Sequence, residues 1–172
     1  MADGHIATYL NDHLAGSVVA LELLEQLEAE HTGTPLGRFF AELRNDIEAD
    51  QQQLESLMAR LDVSQSRTRQ ASAWLTEKFS ELKLRLDDPA GGALRLFESL
   101  EALSLGIEGK RTLWLTMAAA ADEEPAFRLL DYEHMTRRAE EQRGRVEVVR
   151  LEAAKSALVG ARRLLTESTP TM

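Results

Sequence analysis

Polar residues that interrupt otherwise apolar helical stripes are where this chain has chemical potential. Between Leu43 and Leu54 the run through Ile47 is broken by Asp50 and Gln51, and near the C-terminus Ala139-Glu140-Glu141-Gln142 sets an amide between Ala139 and Val146. His13 and Ser17 stand on an earlier stretch; Glu101, Ser104 and Glu108 stand on a later one, with Glu101 and Glu108 seven residues apart and hence on one helix face. Carboxylates and imidazoles that converge inside a helical bundle hold hard cations such as iron or manganese and support redox or storage chemistry. The residues available for that role are His13, Asp50, Glu101, Glu108 and Glu141.

The spacing argues against it. Helical di-metal sites take a glutamate from each of two helices and a Glu-x-x-His pair from each of the other two. Here Glu48-x-x-Gln51 has glutamine in the histidine position, and Gln142 lacks the corresponding partner. A neutral amide is a weak ligand. The competing reading is an internal hydrogen-bonded layer of His13, Ser17, Asp50, Gln51, Glu101, Ser104, Glu108 and Gln142. Buried polar groups must be paired, or each costs about 1–3 kcal/mol. The chain has no cysteine, which removes disulfides, thiolate ligands and thiol nucleophiles. It also has no glycine-rich phosphate loop and no nucleophile elbow.

The elements that must position these residues follow from apolar periodicity. Helix α1 is expected over 3–31, with Ile6, Leu10, Leu14, Leu21, Leu24 and Leu27 on its stripe and Val18, Val19 and Leu23 beside it. His31-Thr32-Gly33-Thr34-Pro35 stops it with glycine and restarts the chain with a threonine cap and a proline in the first turn. Helix α2 is expected over 35–61. A crossover helix over 66–86 carries Trp74, Leu75, Phe79, Leu82 and Leu86. Asp87-Asp88-Pro89-Ala90-Gly91-Gly92 breaks the chain before helix α3, expected over 92–121 with Leu96, Phe97, Leu100, Leu103, Ile107, Trp114 and Leu115 inward. A short helical stretch from Pro125 through Leu130 leads to Asp131, a cap for helix α4, expected over 131–165.

These elements make one all-α domain over 1–172. The crossover segment holds about 20 helical residues, roughly 30 Å at 1.5 Å each, enough to return the chain along the bundle. Two antiparallel hairpins joined by a long crossover are then expected, with a five-helix up-down bundle as the alternative.

Several stretches also carry a resemblance: Leu14-Ala15-Gly16-Ser17 with Leu21-Glu22-Leu23-Leu24, Pro35-Leu36-Gly37-Arg38-Phe39, Ile47-Glu48-Ala49-Asp50, Leu100 through Lys110, and Ala139-Glu140-Glu141-Gln142-Arg143. Over nearly its whole length the chain resembles the ferritin-like superfamily, and within it a group of uncharacterised bacterial proteins without the Glu-x-x-His motifs. The resemblance implies a ferritin-like four-helix bundle and carries no assigned activity.

Charge narrows the partners. Of the net −9, residues 1–62 hold twelve acids against three bases, and the remainder is balanced. An acidic half repels phosphate backbones, so no nucleic-acid partner is expected, and membrane-surface binding through the crossover helix is disfavoured. A homodimer through Val18, Val19 and Leu23 is expected, as is a cytoplasmic location. The functional expectation is a metal-free structural or protein-interaction module with no cofactor. The alternative is a di-metal carboxylate oxidoreductase, or a metal-binding protein, with a degenerate iron or manganese site.

Overall fold

Local chemistry sets the helix ends. The computed structural model describes residues 4–65 and 92–167, with α4 side chains as far as Val159. In it α1 spans Gly4–Glu30, α2 Pro35–Arg60, α3 Gly92–Glu123 and α4 Tyr132–Glu167, with one 3-10 turn at Pro125–Phe127. The described residues contain no strand, and none of their helices is long and apolar enough to cross a membrane. The expected crossover helix over 66–86 lies outside the described residues.

Thr34 caps α2: its hydroxyl accepts the Gly37 N–H at 3.0 Å, and Pro35 fills the first turn, where a missing N–H costs nothing. Gly33 reverses the chain at φ +78. Gly37 is obligatory for a different reason, because a Cβ there would stand 2.2 Å from the carbonyl oxygen of His31. Helix α2 ends in a Schellman arrangement. Val63 N–H bonds to Met58 O at 2.9 Å and Asp62 N–H to Ala59 O at 3.2 Å, with Asp62 left-handed at φ 55. Asp131 caps α4 by accepting the His134 N–H at 2.9 Å. The stretch expected to be helical through Leu130 is only the 3-10 turn. Glu124 caps that turn through Ala126 N–H, and it ends with Tyr132 Oη donating to Phe127 O at 2.6 Å.

Side-chain pairing gives the directions. Asn11 reaches Ser64 O at 3.2 Å and Glu28 meets Arg44 at 2.8 Å, so α1 and α2 are antiparallel. Ser104 with Glu147, and Lys110 with Gln142, make α3 and α4 antiparallel. Asp46 pairs with Arg145 and Asp50 with Arg138, so α2 and α4 are also antiparallel, and α2 and α3 therefore run the same way. Backbones approach closely within each hairpin and between α1 and α3. Long side chains bridge the α2–α4 seam. The ion pairs Glu30–Arg95, Asp46–Arg145, Asp50–Lys110 and Asp50–Arg138 join the hairpins, and in each the acid belongs to the first hairpin and the base to the second.

The apolar core has two halves. One gathers Leu24, Leu27, Phe40, Leu43, Leu100, Leu103 and Val146; the other gathers Leu10, Leu57, Met58, Leu113, Trp114, Met117 and Met135. Two expected placements need correction. Leu23 is buried in the first half, because α1 meets both α2 and α3 and its buried sector is wider than one stripe. Leu115 is 44% exposed, since it lies about 100° around the helix from Trp114, while Leu113 and Met117 fill the core.

Candidate functional site

Between the two apolar halves, three helices each place one polar residue at an inward position. On α2 the sequence Leu43, Ile47, Asp50, Leu54 keeps the three- and four-residue steps of a core stripe; on α3 Leu103, Ile107, Lys110, Trp114 does the same; on α4 so does Ala139, Gln142, Val146. Asp50 is 3% exposed. Its Oδ2 accepts from Lys110 Nζ at 2.6 Å and from Gln142 Nε2 at 2.8 Å, and its Oδ1 accepts from Arg138 Nε at 3.0 Å. Lys110 also donates to Gln142 Oε1, which closes a ring of carboxylate, ammonium and amide. Burial pushes the Lys110 ammonium below the ordinary lysine range, and Asp50 acts in the opposite direction.

The other sequence-predicted residues surround this ring without joining it. Ser17 accepts from Gln51 Nε2 at 2.8 Å and donates to Leu14 O at 2.7 Å, which ties α1 to α2 at the same level. His13, half-buried, lies edge-on to Tyr9 at 4.7 Å; burial lowers its imidazole from the ordinary value, opposed by Asp12. Ser104 donates to Glu147 at 2.5 Å in the α3–α4 seam. Glu147 is held down to about 2 by hydrogen bonds from Arg150 first and Ser104 second. Glu108 takes Arg111 at 2.8 and 3.0 Å with Arg143 at 3.4 Å, and these cations depress its carboxyl. Glu101 is exposed and 3.8 Å from Arg150, and Glu141 is exposed on α4.

So Asp50 and Gln142 meet directly, Ser17 and Gln51 pair beside them, and Glu101, Ser104 and Glu108 line a separate seam. Among the described residues no group of three or more His, Asp or Glu is gathered closely enough to hold a metal ion. The donors that meet do not fit a di-metal centre, because the single central carboxylate already carries an ammonium and a guanidinium on its oxygens. A cleft of about 520 Å³ opens beside the ring between α2 and α4, lined by Asp46, Arg138, Glu141, Gln142, Gly144, Arg145 and Val148.

Lys110 and Arg138 are the members that sequence reasoning overlooked. The signal for Lys110 was present, since it sits three residues after Ile107 and four before Trp114. Arg138 neighbours Ala139 and had no comparable mark. No protein-family model, no curated protein and no solved structure matches this chain.

Proposed function

We propose that the chain is a non-catalytic bundle of ferritin-like type, a structural or protein-interaction module whose centre is held by its own cations rather than by metal. The parallel course of α2 and α3 fits two hairpins joined by a crossover, as it fits a five-helix up-down bundle. One observation carries the functional reading: Asp50, at mid-bundle, spends its oxygens on Lys110, Arg138 and Gln142. The Lys110 ammonium supplies the positive charge that a divalent ion would otherwise bring, and it comes with the chain. A metal ion at the same carboxylate would be its third cation and would meet two positive charges already within bonding distance of it.

The ring then acts as a latch between hairpins, since Asp50 comes from the first and all three of its partners from the second. The test is thermal unfolding of the metal-stripped protein with iron(II) or manganese(II) added in excess, alongside elemental analysis. An unchanged Tm and no retained metal are expected. A stoichiometric gain of metal with a raised Tm would overturn the reading, because a ligand that binds only the native state must stabilise it.

A further inference from the structure

Helices α2 and α3 lie across the bundle from each other, each flanked by α1 and α4. The chain that joins them must pass over the outside of one of those two. Both of its ends are tied to α1. Asn11 of α1 donates to Ser64 O at 3.2 Å just beyond α2, and Arg95 in the first turn of α3 pairs with Glu30 at the far end of α1. Between those ties α1 runs roughly 29 Å, and residues 66–86, at the helical rise their sequence leads one to expect, run roughly 31 Å.

Charge selects the same side. Between Gly4 and Glu30 α1 holds five acids and no lysine or arginine, whereas residues 66–86 hold five bases against two acids. The other route, over α4, offers six bases and five acids between Tyr132 and Val159 and is no complement to a basic segment. On α1 the stripe Ala15, Val19, Glu22 and Gln26 keeps steps of four and three and lies roughly opposite Ser17 and Glu28, the residues that meet α2. Ala15 and Val19 are half-buried and give the stripe an apolar floor, with Glu22 exposed at its rim. Glu98, three positions past Arg95, stands beside it on α3.

We propose that this face of α1 is the docking site of residues 66–86 of the same chain, which run parallel to α1. Ala71 and Leu75 then lie on Val19, and Lys78 and Lys83 meet Glu22 and Glu98. The direction follows from the ends, since the segment leaves α2 beside the start of α1 and reaches α3 beside its finish. Counting helical rise from Ser64 at the level of Asn11 brings each lysine within one turn of its glutamate. Neither glutamate is free, and this register brings each a cation. The inference requires neither the ionic ring nor the module reading. It also takes up Val19, one of the residues expected to meet a second copy.

Because the chain has no cysteine, thiol pairs can be placed in it without background. Val19→Cys is combined in turn with Ala71→Cys, Ser72→Cys and Leu75→Cys, and each full-length variant is checked for folding by circular dichroism. On mild oxidation of dilute protein, at least one pair should close an intrachain disulfide in most of the molecules. The same three combined with Val148→Cys, 68% exposed on α4, should not. Lys78→Glu with Lys83→Glu should slow closure at least about tenfold, and adding Glu22→Lys with Glu98→Lys should restore it. Closure through Val148→Cys as fast as through Val19→Cys overturns the inference by placing the segment over α4. Disulfides that form only between copies overturn it in favour of a second chain on α1. Folded pairs that never close, or closure indifferent to the charge reversals, overturn it as well.

Discussion

Asp50 serves two cations, whereas Lys110 serves one carboxylate and one amide, so the two residues are not equivalent. Asp50→Ala strands both Lys110 and Arg138, and an uncompensated buried charge costs about 3–5 kcal/mol. Lys110→Met leaves Asp50 paired with Arg138 and should cost less. The double variant Asp50→Asn/Lys110→Met removes the conflict and should recover much of the loss. Urea unfolding midpoints should show that order, and Lys110→Met as the costlier single change would contradict the geometry. Glu147 gives a pH signature. Its folded value, about 2, lies below the ordinary 4.5, so the native state binds fewer protons in that interval. The stabilisation is complete above the ordinary value and is lost as pH falls from 4.5 through about 2. Carboxyl NMR should place its titration there, and Arg150→Ala should move it upward by removing the largest cause. Asp50 was legible because a short acid inside an apolar stripe has no innocent explanation. Lys110 was not, since a lysine on a stripe commonly lays its stem on apolar surface and lifts its charge to water. Only the facing helices reveal that its ammonium ends on Asp50.

The ends of the four described α-helices were legible to within a residue or two because caps are made by neighbours in sequence. Thr34-Pro35 and Asp131 announce helix starts through side-chain oxygens that must find nearby N–H groups. Thr34→Ala should cost about 1 kcal/mol. Gly37→Ala should cost more, despite alanine's better helix propensity, because its Cβ would meet the His31 carbonyl oxygen at 2.2 Å and the α1–α2 turn would have to shift. Chemical unfolding of the two variants should rank them so. The width of a buried face was not legible in the same way. Leu23 lies inside because burial depends on how many helices flank an element, which its own periodicity does not record, whereas Leu115 lies outside because it stands about 100° around the helix from Trp114.

At the scale of the whole molecule, an all-helical bundle followed from apolar period and turn chemistry, and the same-way course of α2 and α3 agrees with the reach of the chain between them. The polar centre was legible only in part. Its residues were marked one helix at a time, while its chemistry arises where Asp50, Lys110, Arg138 and Gln142 meet. The acidic character of residues 1–62 read as an outward-facing property. Part of it is spent across the junction of the two hairpins, on Arg95, Lys110, Arg138 and Arg145 of the second, with Asp50 buried and Glu30 and Asp46 nearer the surface.

That segregation of sign bears on how the chain is made. Apolar stripes attract one another without discrimination, so a nascent first hairpin on one ribosome is exposed to first hairpins on its neighbours. Two of them brought together would set Glu30, Asp46 and Asp50 against more carboxylates, with only Arg38, Arg44 and Arg60 in each to set against twelve acids, a repulsive choice against the wrong partner. The complementary bases arrive only with the second half of the same chain. The half synthesised first is thereby the half least able to pair with its own kind.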